Sequence, residues 1–234
     1  ESENYLKILG AKNVKNYGNL KFSHIKKKTN NKLDLELINN IKNKKIWCAA
    51  STHPNEEILC GKAHLKIKKN YKDVLTIIIP RHIDRVKKIN NDLLNLNLKV
   101  ALYSKLNLMD YDTDILIVDS YGESLKFYDI CKYVFVGKSL AKNLIFNSGQ
   151  NPIEPARLGC KIFHGPNVNN FSEIYEYLNE LKITKKILNY EELGSAIVEE
   201  FRTDKPKNDK IAEKIENYGQ NIFNNVNMEL NKYI

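Results

Sequence analysis

The chain has 234 residues, 42% of them hydrophobic, and a net charge of +9, enough sequence for one large domain or two small ones. No run of about 18 apolar residues occurs, so no segment reads as a membrane span, and no signal peptide is visible. The positive charge comes from lysines scattered among asparagines and isoleucines. That pattern reads as compositional bias, and no basic stripe with interleaved aromatics marks a nucleic-acid partner.

Residue 1 is Glu within a polar segment, which reads as the start of a fragment or a processed product. Residues 1–32 hold a short amphipathic piece, a turn at Tyr17-Gly18-Asn19, then Leu20-Lys21-Phe22. Lys21 stands between two apolar residues, in the position of a strand-edge lysine. The lysine cluster at 26–28 reads as a solvated run. Lys45–Ala50 predicts a buried strand. Ser51 or Thr52 then caps a helix that runs to Lys69, with Pro54 suited to the first turn and Glu56 and Glu57 at the positive end. His53, in the capping loop, either orients a phosphate or has no role.

Val74–Ile79 is β-branched and unbroken, as a strand covered on both faces should be. Pro80 takes the chain out of the sheet and leaves Arg81 and His82 at the strand's C-terminal edge. The planar fork of Arg81 suits a phosphate, or pairs with Asp84. Ile83–Leu94 predicts a helix, Lys99–Tyr103 a short strand, and Ile115–Val118 a buried strand that ends in Asp119-Ser120-Tyr121-Gly122-Glu123. Gly122 lets backbone approach a ligand, and Glu123 helps start the helix Leu125–Cys131. Tyr133–Val136 is a strand again, followed by Gly137-Lys138-Ser139 without the rest of a G-x-x-x-x-G-K-[ST] phosphate loop.

Asn147–Gly159 combines a glycine-containing turn, Pro152 at a first helical position and Glu154 just after it. It reads as a strand-end loop feeding a helix. The helix N-terminus suits a phosphate and Glu154 suits the hydroxyls of a ribose, or the stretch is an ordinary cap. Ile162–Phe163 and Ile187–Leu188 predict strands; Phe171–Leu181, Tyr190–Phe201 and Asp209–Leu230 predict helices. Cys48, Cys60, Cys131 and Cys160 form no C-x-x-C pair and read as buried, reduced thiols of a cytosolic protein. The five histidines lack zinc spacing, and neither a metal nor a cofactor is expected.

Strands alternating with helices predict an α/β chain: a Rossmann-like parallel sheet with helices on both faces. Polar or glycine-bearing loops at 51–56, 80–82, 119–123, 137–139 and 147–154 then share one edge, where open α/β sheets bind ligands. Their donors, glycines and few carboxylates suit a nucleotide with an anionic group. There is no G-x-S-x-G elbow, and the missing G-x-G-x-x-G after the first strand counts against a dehydrogenase.

Several segments, in order, resemble one family. They are Gly18-Asn19-Leu20-Lys21-Phe22, Ala49-Ala50-Ser51-Thr52-His53-Pro54 with Glu56, Pro80-Arg81-His82, Tyr121-Gly122-Glu123, Val136-Gly137-Lys138-Ser139-Leu140, Asn151-Pro152-Ile153-Glu154-Pro155, and His164-Gly165-Pro166 with Asn170-Phe171. Together they are similar to the C-terminal half of 3-deoxy-D-manno-octulosonic acid (Kdo) transferase, over residues 1 to about 200. The resemblance implies one half of a GT-B glycosyltransferase, an enzyme that moves Kdo from CMP-Kdo to a lipid A precursor in lipopolysaccharide biosynthesis. It implies work at the cytoplasmic face of the bacterial inner membrane. The acceptor site, catalytic base and membrane anchor would lie in an N-terminal domain, so this part binds donor without catalysing alone.

Carried over by resemblance, Pro80 and Arg81, then Tyr121, Gly122 and Glu123, then Asn151, Pro152, Ile153 and Glu154 contact the CMP-sugar. Lys21 stabilises the transition state by offsetting charge on the departing phosphate. Ser51, Thr52, His53 and Ser139 are second-rank residues near the donor. The family usually has Met at Tyr121, often a second glycine at Lys138, and often a histidine at Gln150; the stretch 140–148 is more apolar than its usual glycine-rich loop. The implied organisation is an interdomain entry segment (1–32), a Rossmann-like CMP-sugar-binding domain (33–204) and a C-terminal helix (205–234). Two alternatives stay open: another GT-B glycosyltransferase or an epimerase domain using a UDP-sugar, and a basic nucleic-acid-binding domain.

Overall fold

The computed structural model describes residues 2–23, 33–140 and 148–233. The lysine cluster at 26–28 and the stretch 141–147 lie outside the described residues. The chain divides into two compact units, one of Glu1–Lys28 with Glu213–Ile234 and a larger one of Thr29–Ala212.

In chain order the elements are α1 (Ser2–Ile8), α2 (Leu35–Ile41), β1 (Lys45–Thr52), α3 (Glu56–Lys68), β2 (Val74–Pro80), α4 (Val86–Leu94), β3 (Val100–Leu102) and β4 (Ile115–Ile117). There follow α5 (Ser124–Ile130), β5 (Tyr133–Val136), α6 (Ile153–Arg157), β6 (Lys161–His164), α7 (Ser172–Glu180), β7 (Thr184–Lys186), α8 (Tyr190–Thr203) and α9 (Asp209–Leu230). Short 3₁₀ turns at Leu20–Ser23, Ile83–Arg85, Tyr103–Leu108 and Asn169–Phe171 complete the set.

The larger unit is built on a seven-stranded sheet in the order β3-β4-β2-β1-β5-β6-β7, and every strand pair in it is parallel. Parallel strands connect through crossovers that place helices on both faces, so a central strand is buried at every position and largely apolar. β2 obeys this, with all seven residues buried. On one face Trp47, Ile78, Ile117 and Phe135 pack under Ala63 and Ile67 of α3, Ile89 and Leu93 of α4, and Ile197 and Phe201 of α8. Strand residues of the other parity, among them Cys48, Leu75, Ile77 and Val134, are equally buried, as alternation requires. Full burial of an aliphatic side chain of this kind contributes about 1.5–3 kcal/mol. All four cysteines are free and buried.

Several boundaries differ from the sequence reading for identifiable reasons. β1 continues through Ser51 and Thr52, so neither caps α3; the residue before the helix is Asn55, in the left-handed region at φ 76. The register of β1 against β2 shifts between Ala50 and Thr52, and Ser51 takes φ 53 there, a bulge that turns the strand end. The last strand is Thr184–Lys186 rather than Ile187–Leu188. It is an edge strand, paired among the described residues with β6 alone, so exposed Lys185 and Lys186 suit it. Ile187 instead enters the core, completely buried.

In the smaller unit Lys21 lies in the 3₁₀ turn Leu20–Ser23, not in a strand. Asn19 Oδ1 accepts its backbone N–H at 3.0 Å. Phe22 is buried and meets Tyr218 of α9 edge to face, with ring centroids 5.1 Å apart. Tyr17 OH donates to Glu229 at 2.8 Å.

Candidate functional site

From β1 the chain winds towards β2, β4 and β3, then crosses back to β5 on the other side and continues to β6 and β7. Connections leaving β1 and β5 therefore diverge. Between their C-terminal ends they leave a crevice of the kind that receives ligands in open α/β sheets.

Two loops wall the crevice, the end of β1 through Asn55 and residues 137–140 after β5. Glu56, the first residue of α3, ties them together. Its buried carboxylate accepts N–H groups from His53 (2.9 Å) and Lys138 (2.7 Å) on Oε2, and from Ser139 and Leu140 (both 2.9 Å) on Oε1. Burial raises its pKa, and the four N–H bonds oppose that rise. The carboxylate sits in a nest of backbone donors where a small anion would otherwise fit. The N–H groups of Lys138, Ser139 and Leu140 are thereby occupied and are not open to a ligand anion. In the sequence Glu56 reads only as helix-end charge.

Gly137 is required by this closure. A Cβ on it would lie 2.6 Å from Ser51 O and 2.7 Å from both Glu56 Oε2 and Thr52 Cα. Lys138 follows at φ 55, a left-handed conformation that costs a residue with a Cβ about 1–2 kcal/mol. It stands where the resemblance expects a second glycine. Its side chain is half-buried, and its ammonium makes no hydrogen bond or ion pair with the described residues.

The end of β2 places Arg81 beside this crevice. Its backbone N–H donates to Thr52 O at 3.0 Å. Its side chain is exposed and forms no ion pair among the described residues, so the alternative pairing with Asp84 does not occur. The paired arginine is Arg85, which holds the buried Glu57 through two parallel bonds of 3.0 Å. His53 and His82 meet edge to face, with ring centroids 5.8 Å apart. Burial lowers the pKa of His53. A 3.0 Å contact with Ser51 O opposes the shift, while the charges of Lys138, His82 and Arg85 add to it.

The remaining sequence-expected residues divide. Tyr121 is exposed. Gly122 has φ 84 with open space where a Cβ would be, so the turn demands glycine rather than a close approach. Glu123 pairs with Lys126, Nζ–Oε2 2.5 Å. Asn151 Oδ1 accepts from Ile153 N at 3.0 Å, a local turn just before α6, whose N-cap residue is Pro152. Pro80, Pro152 and Ile153 are buried while Glu154 is exposed. With five residues, α6 is a short helix, and its end carries a correspondingly weak dipole. Thr52 is fully buried. Ser139 is buried too; its Oγ donates to Val136 O at 2.6 Å and accepts from Gly165 N at 2.9 Å. It braces the β5 loop against the end of β6. Lys21 belongs to the smaller unit.

At the opposite end of the sheet His64 is completely buried, with Nδ1 2.9 Å from Thr76 Oγ1 and Nε2 3.2 Å from Asp114 Oδ1. Lys68 donates to the same carboxylate, and Lys99 N donates to its other oxygen at 3.0 Å. Burial lowers the pKa of His64 against the pull of Asp114. For Asp114 burial acts upwards, but the bonds from His64, Lys68 and Lys99 outweigh it and hold the carboxyl well below its usual range. Among the described residues no group of three or more His, Cys, Asp or Glu could hold a metal ion, and no helix is long and apolar enough to cross a membrane.

No protein-family model matches the chain. It is 30% identical over 213 residues to the 3-deoxy-D-manno-octulosonic acid transferase of Rickettsia bellii, covering 91% of this chain and 48% of that protein. It is 32% identical over 137 residues to the same-named protein of Haemophilus influenzae, covering 58% of this chain and 31% of that one. In fold it is similar to the crystal structure of the C-terminal CMP-Kdo binding domain of WaaA from Acinetobacter baumannii, with a TM-score of 0.62 and 22% identity over 78% of this chain and 91% of that one. The seven-stranded parallel sheet with helices around it is that of a Rossmann-like half of the GT-B glycosyltransferase fold. Within that class the chain belongs to the Kdo transferase family, as a counterpart of its C-terminal domain. It spans about half the length of the curated relatives it matches.

Proposed function

We propose that this chain is the donor-binding half of a Kdo transferase, holding CMP-Kdo at the C-terminal edge of its sheet. The observation that carries this reading is the placement of Arg81. Its guanidinium is exposed and without an ion-pair partner among the described residues, one strand away from the crevice between β1 and β5. With the β5-loop donors taken by Glu56, an exposed side-chain cation suits a nucleotide phosphate. Tyr121-Gly122-Glu123 and Asn151–Glu154 supply contacts to the cytidine and ribose, with exposed Glu154 accepting from hydroxyls. The acceptor is a lipid A precursor. The catalytic base and the membrane association come from the half of the family protein that this chain does not span, at the cytoplasmic face of the inner membrane.

Calorimetric titration of CMP into the wild type, Arg81→Ala and Glu154→Ala tests the reading, at CMP concentrations up to millimolar. Saturable wild-type binding, weakened on the order of tenfold in each variant, is expected for loss of one charge-assisted contact. Wild-type binding no tighter than that of both variants overturns it. Competition by UDP should be weaker than by CMP; equal competition points to a UDP-sugar donor.

A further inference from the structure

We propose that Lys138 is a donor-binding residue of this chain, its ammonium meeting an anionic oxygen of the sugar nucleotide between the β1 and β5 loops. The inference rests on the donor-site reading above and adds a contact that the strand-end motifs do not assign. Three observations carry it. The backbone of Lys138 is in the left-handed region at φ 55, a conformation that glycine adopts freely and a lysine does not. The geometry is explained by Glu56, since it turns the N–H groups of Lys138, Ser139 and Leu140 onto one carboxylate. The side chain is not explained by it. The ammonium has no hydrogen bond or ion pair among the described residues, so no side-chain bond there offsets the strain. Finally, it sits in the crevice wall, where its charge acts on His53 of the opposing loop.

Strain kept at a strand-end loop is characteristic of residues held for ligand contact. The surroundings select the ligand's charge. The two carboxylates at the start of α3 are committed, Glu56 to four N–H groups and Glu57 to Arg85. Lys138 and Arg81 therefore present uncompensated positive charge from adjacent loops. Two anionic groups of a nucleotide-activated sugar acid fit this chemistry, the nucleotide phosphate and the sugar carboxylate.

The test uses the full chain with Lys138→Met, which removes the charge and keeps the strain, and Lys138→Gly, which removes both. CMP, cytidine and free Kdo are titrated into each protein, and thermal unfolding is measured alongside. Both variants should bind one of the two anions on the order of tenfold more weakly than wild type, with cytidine affinity unchanged. Loss confined to CMP assigns the phosphate; loss confined to Kdo assigns the sugar carboxylate. Lys138→Gly should also melt about 2 °C higher, because glycine relieves the strain. Unchanged affinity for both anions overturns the proposal, as does a lower melting temperature for Lys138→Gly, which would show the side chain serving the fold. A wild type that binds no CMP overturns the donor reading itself; wild-type binding that Arg81→Ala weakens and Lys138→Met does not overturns only the role of Lys138.

Discussion

Glu56→Gln is the substitution that most directly probes how the site is built. It keeps the size and shape of the side chain and removes the charge. The carboxylate accepts two N–H groups on each oxygen, at 2.7–2.9 Å. An amide offers one oxygen, so two of the four donors then face an NH₂ group and lose their acceptor. Two charge-assisted bonds of about 1.5–3 kcal/mol each sum to roughly 3–6 kcal/mol. Part of that is returned, because burial disfavours the ionised form of Glu56 and a neutral amide is cheaper to bury. A net loss of about 2–4 kcal/mol remains, which for a unit of this size lowers the melting temperature by roughly 5–12 °C. Glu56→Asp keeps the charge but is one methylene shorter and cannot span both loops, so a similar loss is expected. Thermal unfolding at pH 7.5 measures both. Amide exchange should quicken at Lys138, Ser139 and Leu140 before the rest of the sheet opens. A Glu56→Gln protein melting within about 2 °C of wild type would refute the reasoning, since the β5 loop would then hold its shape without the carboxylate.

Three further outcomes are expected. Arg85→Met leaves Glu57 buried without its bidentate partner and should cost about 3 kcal/mol; adding Glu57→Leu should recover most of it, and urea midpoints that are alike for the single and double variants contradict the pairing. Gly137→Ala forces a Cβ to within 2.6 Å of Ser51 O, against backbone that cannot swing aside. It should destabilise by about 2 kcal/mol or more, and an unchanged urea midpoint contradicts it. His53, His64 and His164 all have pKa values lowered, chiefly by burial, so on acidification the unfolded chain takes up protons first. Their contribution is intact above the ordinary histidine pKa of about 6.5 and is lost as pH falls below it, by at most ~1.4 kcal/mol per pH unit for each histidine. Melting temperatures measured from pH 8 to 5.5 should fall over the lower part of that range; a flat profile refutes the burial of these rings. Asp114, whose pKa is lowered by its bonds, adds its own loss only at more acid pH.

How far the sequence reached depends on how local the cause of each feature is. Tyr133–Val136 and Asp209–Leu230 were readable to the residue, the first because a strand covered on both faces must be apolar throughout. The long helix was readable because its polarity and length leave few other states. The alignment of strand-end loops on one edge followed from the parallel connectivity alone. β7 was misplaced because an edge strand is defined by backbone pairing with β6, not by its own side chains; Lys185 and Lys186 give no apolar signal. Arg81 and Arg85 are indistinguishable in a sequence, yet one is exposed and the other locked to Glu57.

Fold class and family were legible in the chain itself, and so was the gathering of the strand-end loops on one edge of the sheet, since these depend on periodicity and on the order of short motifs. The tertiary structure alone decided which of those residues remain available. Glu56 is bound to N–H groups 82 to 84 positions away, and Ser139 reaches an N–H 26 positions away. Whether a polar group is spent within the fold or left for a ligand depends on partners that only folding brings within hydrogen-bond distance.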